Sequence, residues 1–275
     1  MRFVVRHHTR YRYDAPVGLA RHVVRLTPRP GQGDLLSHAV HVTPEPAARQ
    51  TLDDSHGNRL LQLEFSGQCQ ELSVDSEFEL HTRPPASLEG ALPALPWRQP
   101  DPALAAYLAA GAVDPSVAEF AEALAAETGR EPVAFLDLLT HTLYSDFDRH
   151  IRDAGHAHPA AETLALRRGA CRDLAVLFMD ATRHLGIPSR FVSGYQARRE
   201  AVDGRRHLHA WPEVHLPTFG FRGWDPTHGL RVGEGHVALC AAPTQLETMP
   251  VEGAFFVDGG PVNSTLDFSL QIDAA

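Results

Sequence analysis

The sequence predicts an α+β protein, with an N-terminal antiparallel β-domain of the sandwich or barrel-like kind leading into a region of helices and then strands. Three observations carry this. Up to about Arg83, apolar residues alternate with period two in short runs broken by turn residues. Between Asp114 and Leu185 they recur at helical spacing instead, and after Pro188 strand-like segments return.

In the first region RFVVRHH, ARHVVRLTP, LLSHAVHVTPE, NRLLQLEF and ELSVDSEFELHT each read as a strand. The breaks DAPVG, RPGQGD, PEP and DDSHGN supply Gly, Asn, Asp and Pro, whose backbone preferences make turns. Regular spacing of such strands fits a sandwich or barrel. Nothing in these strands suggests catalysis, and a structural or docking role is the expectation. From Arg83 to Pro102 the composition turns proline-rich and loses its period, as expected of a linker or a strapped-down connection. The expected division is a β-domain over 1–83, a linker over 84–102 and a core over 103–275.

With 275 residues the chain has room for one large domain or two modest ones. Its net charge of -9 argues against nucleic acid, whose binding requires clustered cations. It contains no lysine, so every cation is an arginine. MRFVVRHHTRYRY lacks the apolar run and cleavage site of a signal peptide, and no later stretch is apolar enough to span a bilayer. Cys69, Cys171 and Cys240 are widely spaced and odd in number, which suits a reducing compartment and an expected cytoplasmic location.

Asp114-Pro115 reads as an N-cap followed by proline at the first helical position, with Val117, Phe120, Ala121 and Leu124 on one face before Gly129. A second helix from about Pro132 carries Phe135, Leu138, Leu139 and Leu143. Thr163 to Arg168 reads as a short helix closed by a left-handed Gly169. From Cys171 the stripe Leu174, Ala175, Leu177, Phe178, Ala181 and Leu185 marks a buried helix ending at Gly186. SRFVSGYQ, HLHAWPEVHLP and FRGWDPTHG follow as strands, with the polar EAVDGRR between the first two.

Cys171 thus opens a helix, where free N–H groups and the macrodipole favour a thiolate and can receive an oxyanion. Gly169 and Ala170 are expected to leave room for a substrate carbonyl. A lone cysteine there is, more often than not, a small packed residue. On a strand His207, His209 and Trp211 share one face, opposite Leu208 and Ala210, and Asp225 on the next strand is placed to accept from the Nδ1–H of an imidazole. Cys, His and Asp would then form a nucleophile, base and orienter. The competing reading is a metal site of His207, His209, Asp225 and His228, which leaves Cys171 unexplained. His7, His8 and His22 are expected to be surface residues without a role, Glu213 and His215 to flank the site or be solvated, and Pro212 to sit at an edge or bulge.

GACRDLAVLFMDATRHLGIPSRFVSGY, HAWPEVHLP and GWDPTHG, in this order, resemble the core of the bacterial transglutaminase-like superfamily of papain-like cysteine enzymes, and the strands from Met1 to Thr82 resemble the β-region that precedes it. The resemblance implies a papain-like core in which the nucleophile helix packs on an antiparallel sheet, with Cys171 as nucleophile, His209 as general base, Asp225 as its orienter and Trp211 beside the site. It implies acyl transfer from a peptide or isopeptide-type amide through a thioester, with water or a primary amine as acceptor, and requires no cofactor or metal. Hydrolysis is the favoured outcome because water needs no second binding site. A catalytically silent scaffold that keeps the fold is the alternative. Phe147-Asp148-Arg149 departs from the usual aromatic-x-aromatic pair, and the side-chain oxyanion donor is unassigned. No nucleic acid or membrane partner is expected, and the oligomeric state is open.

Overall fold

The computed structural model describes residues 1–98, 101–108, 111–152, 155–197, 206–257 and 259–275. Alternation in β1 (Arg2–Leu19) buries Phe3 and Val5 and turns Arg6, His8 and Arg12 outward. These three face Glu77, Asp75 and Glu71 on β6 (Gln68–Thr82), two arginine–carboxylate pairs and a histidine–carboxylate hydrogen bond that hold the register from outside. Between them in the chain come β2 (His22–Val24), β3 (Gly33–Thr43), β4 (Ala48–Asp53) and β5 (Arg59–Glu64).

The 84–98 segment is strapped down rather than free. Leu95 is buried against the helices, and the Trp97 N–H donates to the Leu185 carbonyl at 2.9 Å. Two helices follow, α1 (Pro115–Glu127) and α2 (Pro132–Ser145), and the Asp114 carboxylate accepts from the Ser116 N–H at 2.9 Å as the expected N-cap. β7 (Asp148–Arg149) pairs in parallel with β8 (Arg168–Gly169), and α3 (Ala160–Leu166) lies between them. The left-handed residue that closes α3 is Arg167, at φ 47, and not Gly169, whose backbone is held in the β7–β8 pair.

α4 (Cys171–His184) buries Leu174, Ala175, Leu177 and Phe178 completely. Each of the larger side chains contributes about 1.5–3 kcal/mol by leaving water, which anchors the helix start. The chain leaves α4 through Gly186, at φ +78, where a Cβ would stand 1.9 Å from the Trp97 carbonyl oxygen. α4 packs on an antiparallel sheet of order β12-β11-β10-β9-β13, built from β9 (Ser189–Gln196), β10 (His209–Leu216), β11 (Gly220–Asp225), β12 (Leu230–Arg231) and β13 (His236–Ala242). Pro212 is interior, not at an edge, and pairs with Phe191 of β9. It is tolerated because the β10–β11 ladder begins at Glu213 and asks no donor of it. Most of the EAVDGRR segment lies outside the described residues, and Arg206 donates to the Gln196 and Ala197 carbonyls.

The last strands, β14 (Val251–Glu252), β15 (Phe255–Phe256) and β16 (Ser264–Ala274), return to the N-terminal region. β16 runs antiparallel to β1 from Phe3↔Ala274 to Tyr13↔Ser264, so the end of the chain belongs to the first β-layer and not to the core expected over 103–275. Leu266, Phe268, Leu270 and Ile272 alternate on β16, and the long edge of β1 gives such a strand its hydrogen bonds. Both N-terminal sheets, β15-β1-β6-β3 with β16 on β1 and β14-β2-β5-β4, feed one apolar cluster. Tyr195, Val237 and Leu239 of the core sheet join that cluster, so the β-region packs directly on the core.

Candidate active site

Cys171, His209 and Asp225 arrive from three elements: the first residue of α4, the first of β10 and the last of β11. The His209 imidazole acts directly on the Cys171 thiol, and the His209 Nε2 meets Asp225 Oδ2 at 2.8 Å. The nitrogen facing Asp225 is therefore Nε2, not the expected Nδ1, which is left for the thiol. Continuing the β10–β11 register sets Asp225 opposite Trp211, one diagonal step from His209, and only the distal ring nitrogen spans that step.

Burial pushes the half-buried Cys171 thiol up, but the hydrogen bond and charge of His209, a backbone hydrogen bond from Ala210 and the Arg172 charge carry it below the ordinary thiol value. Cys69 and Cys240 move the opposite way, Cys240 to about 12, both chiefly through burial. Burial alone would lower His209, and the Asp225 charge and hydrogen bond overcome it to raise the imidazole to about 10. Asp225, fully buried, is held well below the carboxylate range by the same partner and by hydrogen bonds from His228 and His236, against the upward push of burial. The two shifts favour the same state, a thiolate beside an imidazolium.

Asp225 collects more donors than the sequence reading foresaw. Its Oδ2 meets His228 Nδ1 at 2.7 Å and His236 Nε2 at 3.0 Å, and its Oδ1 accepts from the backbone N–H groups of Thr227 at 3.0 Å and His228 at 3.2 Å. His236 had no local signal, because it is brought in by β13 from the far edge of the sheet. His209, Asp225 and His228 each offer a ligand-type atom within 4.8 Å of the others, a closeness that is that of these hydrogen bonds. His207 stands outside this group, its ring against Phe268 of β16 at 5.8 Å.

Asp173 was also missed as a functional support, though its place in GACRD is the available signal. It is fully buried, and its Oδ2 accepts from the Ala170 N–H at 2.8 Å, capping α4 from within. Its Oδ1 accepts from Arg152 Nη2 and the His158 N–H, each at 2.8 Å, so the loop before α3 is tied to the helix start. Gly169 is small for this reason: a Cβ there would lie 2.9 Å from the Asp173 Cβ and 3.2 Å from the Thr163 Cγ2. The expected open approach is thus supplied by the wider cleft, and the glycine itself accommodates Asp173.

Trp211 is buried with its ring centroid 5.8 Å from that of His209 and 5.2 Å from that of His236. Gly194 admits it, since a Cβ on that residue would sit 2.6 Å from the indole and 2.2 Å from the Val237 carbonyl oxygen. Glu213 is not solvated but pairs with Arg190 at 2.6 Å, and the His215 ring packs on Phe221. His7 and His22 are buried, contrary to expectation, and His7 Nδ1 meets the Tyr195 hydroxyl at 2.7 Å. A cleft of about 830 Å³ runs over Cys171 and His209 and is lined from the other side by His7 and Tyr11 of β1 and by Leu266 and Phe268 of β16.

Residues 3–81 match the bacterial transglutaminase-like N-terminal region, and residues 118–226 match the transglutaminase-like superfamily. An uncharacterized protein of Mycobacterium tuberculosis is 27% identical over 98% of this chain and 92% of its own length. One of Mycobacterium leprae is 24% identical over 98% of each. The solved structure of a candidate cysteine protease from Cytophaga hutchinsonii superposes with a TM-score of 0.74 at 17% identity, covering 99% of this chain and 90% of that one, which is a likeness of fold. Matched in order over the first β-layer and the helix-and-sheet core, the chain belongs to the transglutaminase-like superfamily and carries the N-terminal region of its bacterial members.

Proposed function

We propose that the protein is a cysteine-dependent acyl-transfer enzyme acting on a peptide or isopeptide-type amide, with Cys171, His209 and Asp225 as its catalytic residues and hydrolysis favoured over transamidation. The observation that supports this most is that Cys171, first residue of α4, shares one cleft with His209, whose ring is held by Asp225 at 2.8 Å, and that of the three cysteines it alone has its thiol pushed down.

The Cys171 thiolate attacks the amide carbonyl carbon, and a C–S bond forms as the carbonyl π electrons move to oxygen. The first-turn N–H of Cys171, which has no acceptor within the helix, is placed to receive that oxyanion. The C–N bond then breaks as His209 gives its proton to the departing nitrogen, leaving a thioester and a neutral imidazole. Water, giving one proton to His209, attacks the thioester, and the C–S bond breaks to release the acid and the Cys171 thiolate beside a protonated His209. A primary amine in place of water gives transamidation by the same steps.

We propose the cytoplasm as the protein's location, because an odd number of widely spaced cysteines suits a reducing compartment. The test is mass spectrometry of the protein incubated with a peptide library and an amine donor. Acyl-Cys171 that resolves mainly to acid, and is lost in Cys171→Ala, supports the proposal. No acyl-enzyme, together with a Cys171 that iodoacetamide labels no faster than Cys69, refutes it in favour of a scaffold.

A further inference from the structure

Three imidazoles converge on one oxygen of Asp225. A carboxylate oxygen has two lone-pair directions, yet His209, His228 and His236 lie at 2.8, 2.7 and 3.0 Å from Oδ2. The three donors therefore compete for the same electron density. His228 holds the carboxylate at both ends, with its ring on Oδ2 and its own backbone N–H on Oδ1 at 3.2 Å. His236 is buried, its Nδ1 faces the Gly233 N–H at 3.5 Å, and burial keeps the ring neutral, so the proton sits on Nε2 and points at Asp225.

We infer that His228 and His236 are positioning residues of this site, two auxiliary donors that draw on Asp225 and so limit how firmly the carboxylate retains the proton of His209. The inference rests on the proposed acyl-transfer reading for its purpose. An imidazolium that must protonate a departing amine works poorly as an acid if its carboxylate partner holds the proton too well. The groups facing His209 are Cys171 from α4, Asp225 from β11, His228 from the turn after it and His236 from β13, and the Arg172 charge acts on Cys171. Removing one donor from Oδ2 leaves more of the carboxylate to His209, and the proton is then released at higher pH.

The experiment follows the His209 ring by NMR in protein labelled with [13Cε1]histidine, with Cys171 capped as its methyl disulfide so that the thiol does not titrate. The His209 signal is identified by its loss in His209→Asn. In His236→Leu the midpoint rises by about half a pH unit or more, roughly threefold in proton affinity. In His236→Gln, which restores an N–H donor at similar reach, it returns to the native value. His228→Leu, which keeps the backbone N–H but loses the ring donor, shifts in the same direction and decides the matter if His236→Leu fails to fold. An unchanged or lowered midpoint in the Leu variants, or a Gln variant that behaves as Leu, overturns the inference. Iodoacetamide labelling of the uncapped protein separately reports whether Cys171 is reactive, so failure of the enzyme reading is distinguishable from failure of this one.

Discussion

Asp225→Asn tests the charge logic of the site with little change in shape. In the native protein the buried His209 is raised from 6.5 to about 10, chiefly because the Asp225 charge and hydrogen bond outweigh burial. A shift of that size corresponds to roughly 5 kcal/mol favouring the imidazolium. Asparagine removes the charge, so that only Cys171 is left to oppose burial at His209, and the imidazole gives up its proton at lower pH than in the native protein. The Cys171 thiol loses its imidazolium and rises toward the ordinary thiol range, so that little of it is thiolate near pH 6. The more basic thiolate is the better nucleophile and recovers part of the loss, leaving an expected fall of about 30-fold or more in alkylation rate near pH 6. The assay is pseudo-first-order iodoacetamide labelling of Cys171, read by intact-mass spectrometry across about pH 5 to 9, with circular dichroism to check the fold. The native protein should label with little pH dependence above the acid limb, and the variant should rise steadily toward alkaline pH. Labelling of a folded Asp225→Asn protein within about threefold of native near pH 6 would refute the reasoning.

Four further outcomes are expected. Asp173→Ala uncaps the Ala170 N–H and takes from the Arg152 guanidinium its buried carboxylate, so urea unfolding should show a loss of about 3 kcal/mol, and Asp173→Asn a smaller one. Gly194→Ala forces a methyl against the Val237 carbonyl and the Trp211 ring, and should cost about 1–3 kcal/mol in the same measurement. His7 is lowered to about 4, mainly by burial, so the folded state binds fewer protons than the unfolded chain below about pH 6.5; its stabilisation is complete above that value and is lost as pH falls toward 4. Native protein should therefore lose about 2 kcal/mol more than His7→Asn between about pH 7.5 and 5, and equal slopes in urea titrations would contradict this. Leu266 and Phe268 are 54% and 41% exposed on the cleft wall opposite Cys171, so Leu266→Ser with Phe268→Ser should slow inactivation by an N-acyl-Phe chloromethyl ketone while sparing the iodoacetamide rate. Equal inactivation would show that this wall does not touch the substrate.

Local patterns in the chain determined much of this protein. Period-two alternation marks β1, β2, β3, β5 and β6, the Asp-Pro start marks α1, and the apolar stripe from Leu174 to Leu185 places Cys171 at the head of a helix, because each of these is a contact between a residue and its near neighbours. Matches to family blocks singled out His209 and Asp225 for the same reason, as short signatures that survive in one sequence. Tertiary structure alone decided the rest. Which nitrogen of His209 meets Asp225 depends on the β10–β11 register, and the presence of His236 depends on β13 lying beside β9, a pairing across forty residues. The return of β16 to β1 joins the two ends of the chain and puts Phe268 over the cleft, and no local period announces which edge a strand will choose. Alternation specifies a face to bury, whereas the partner that buries it is settled only when every other strand has taken its place.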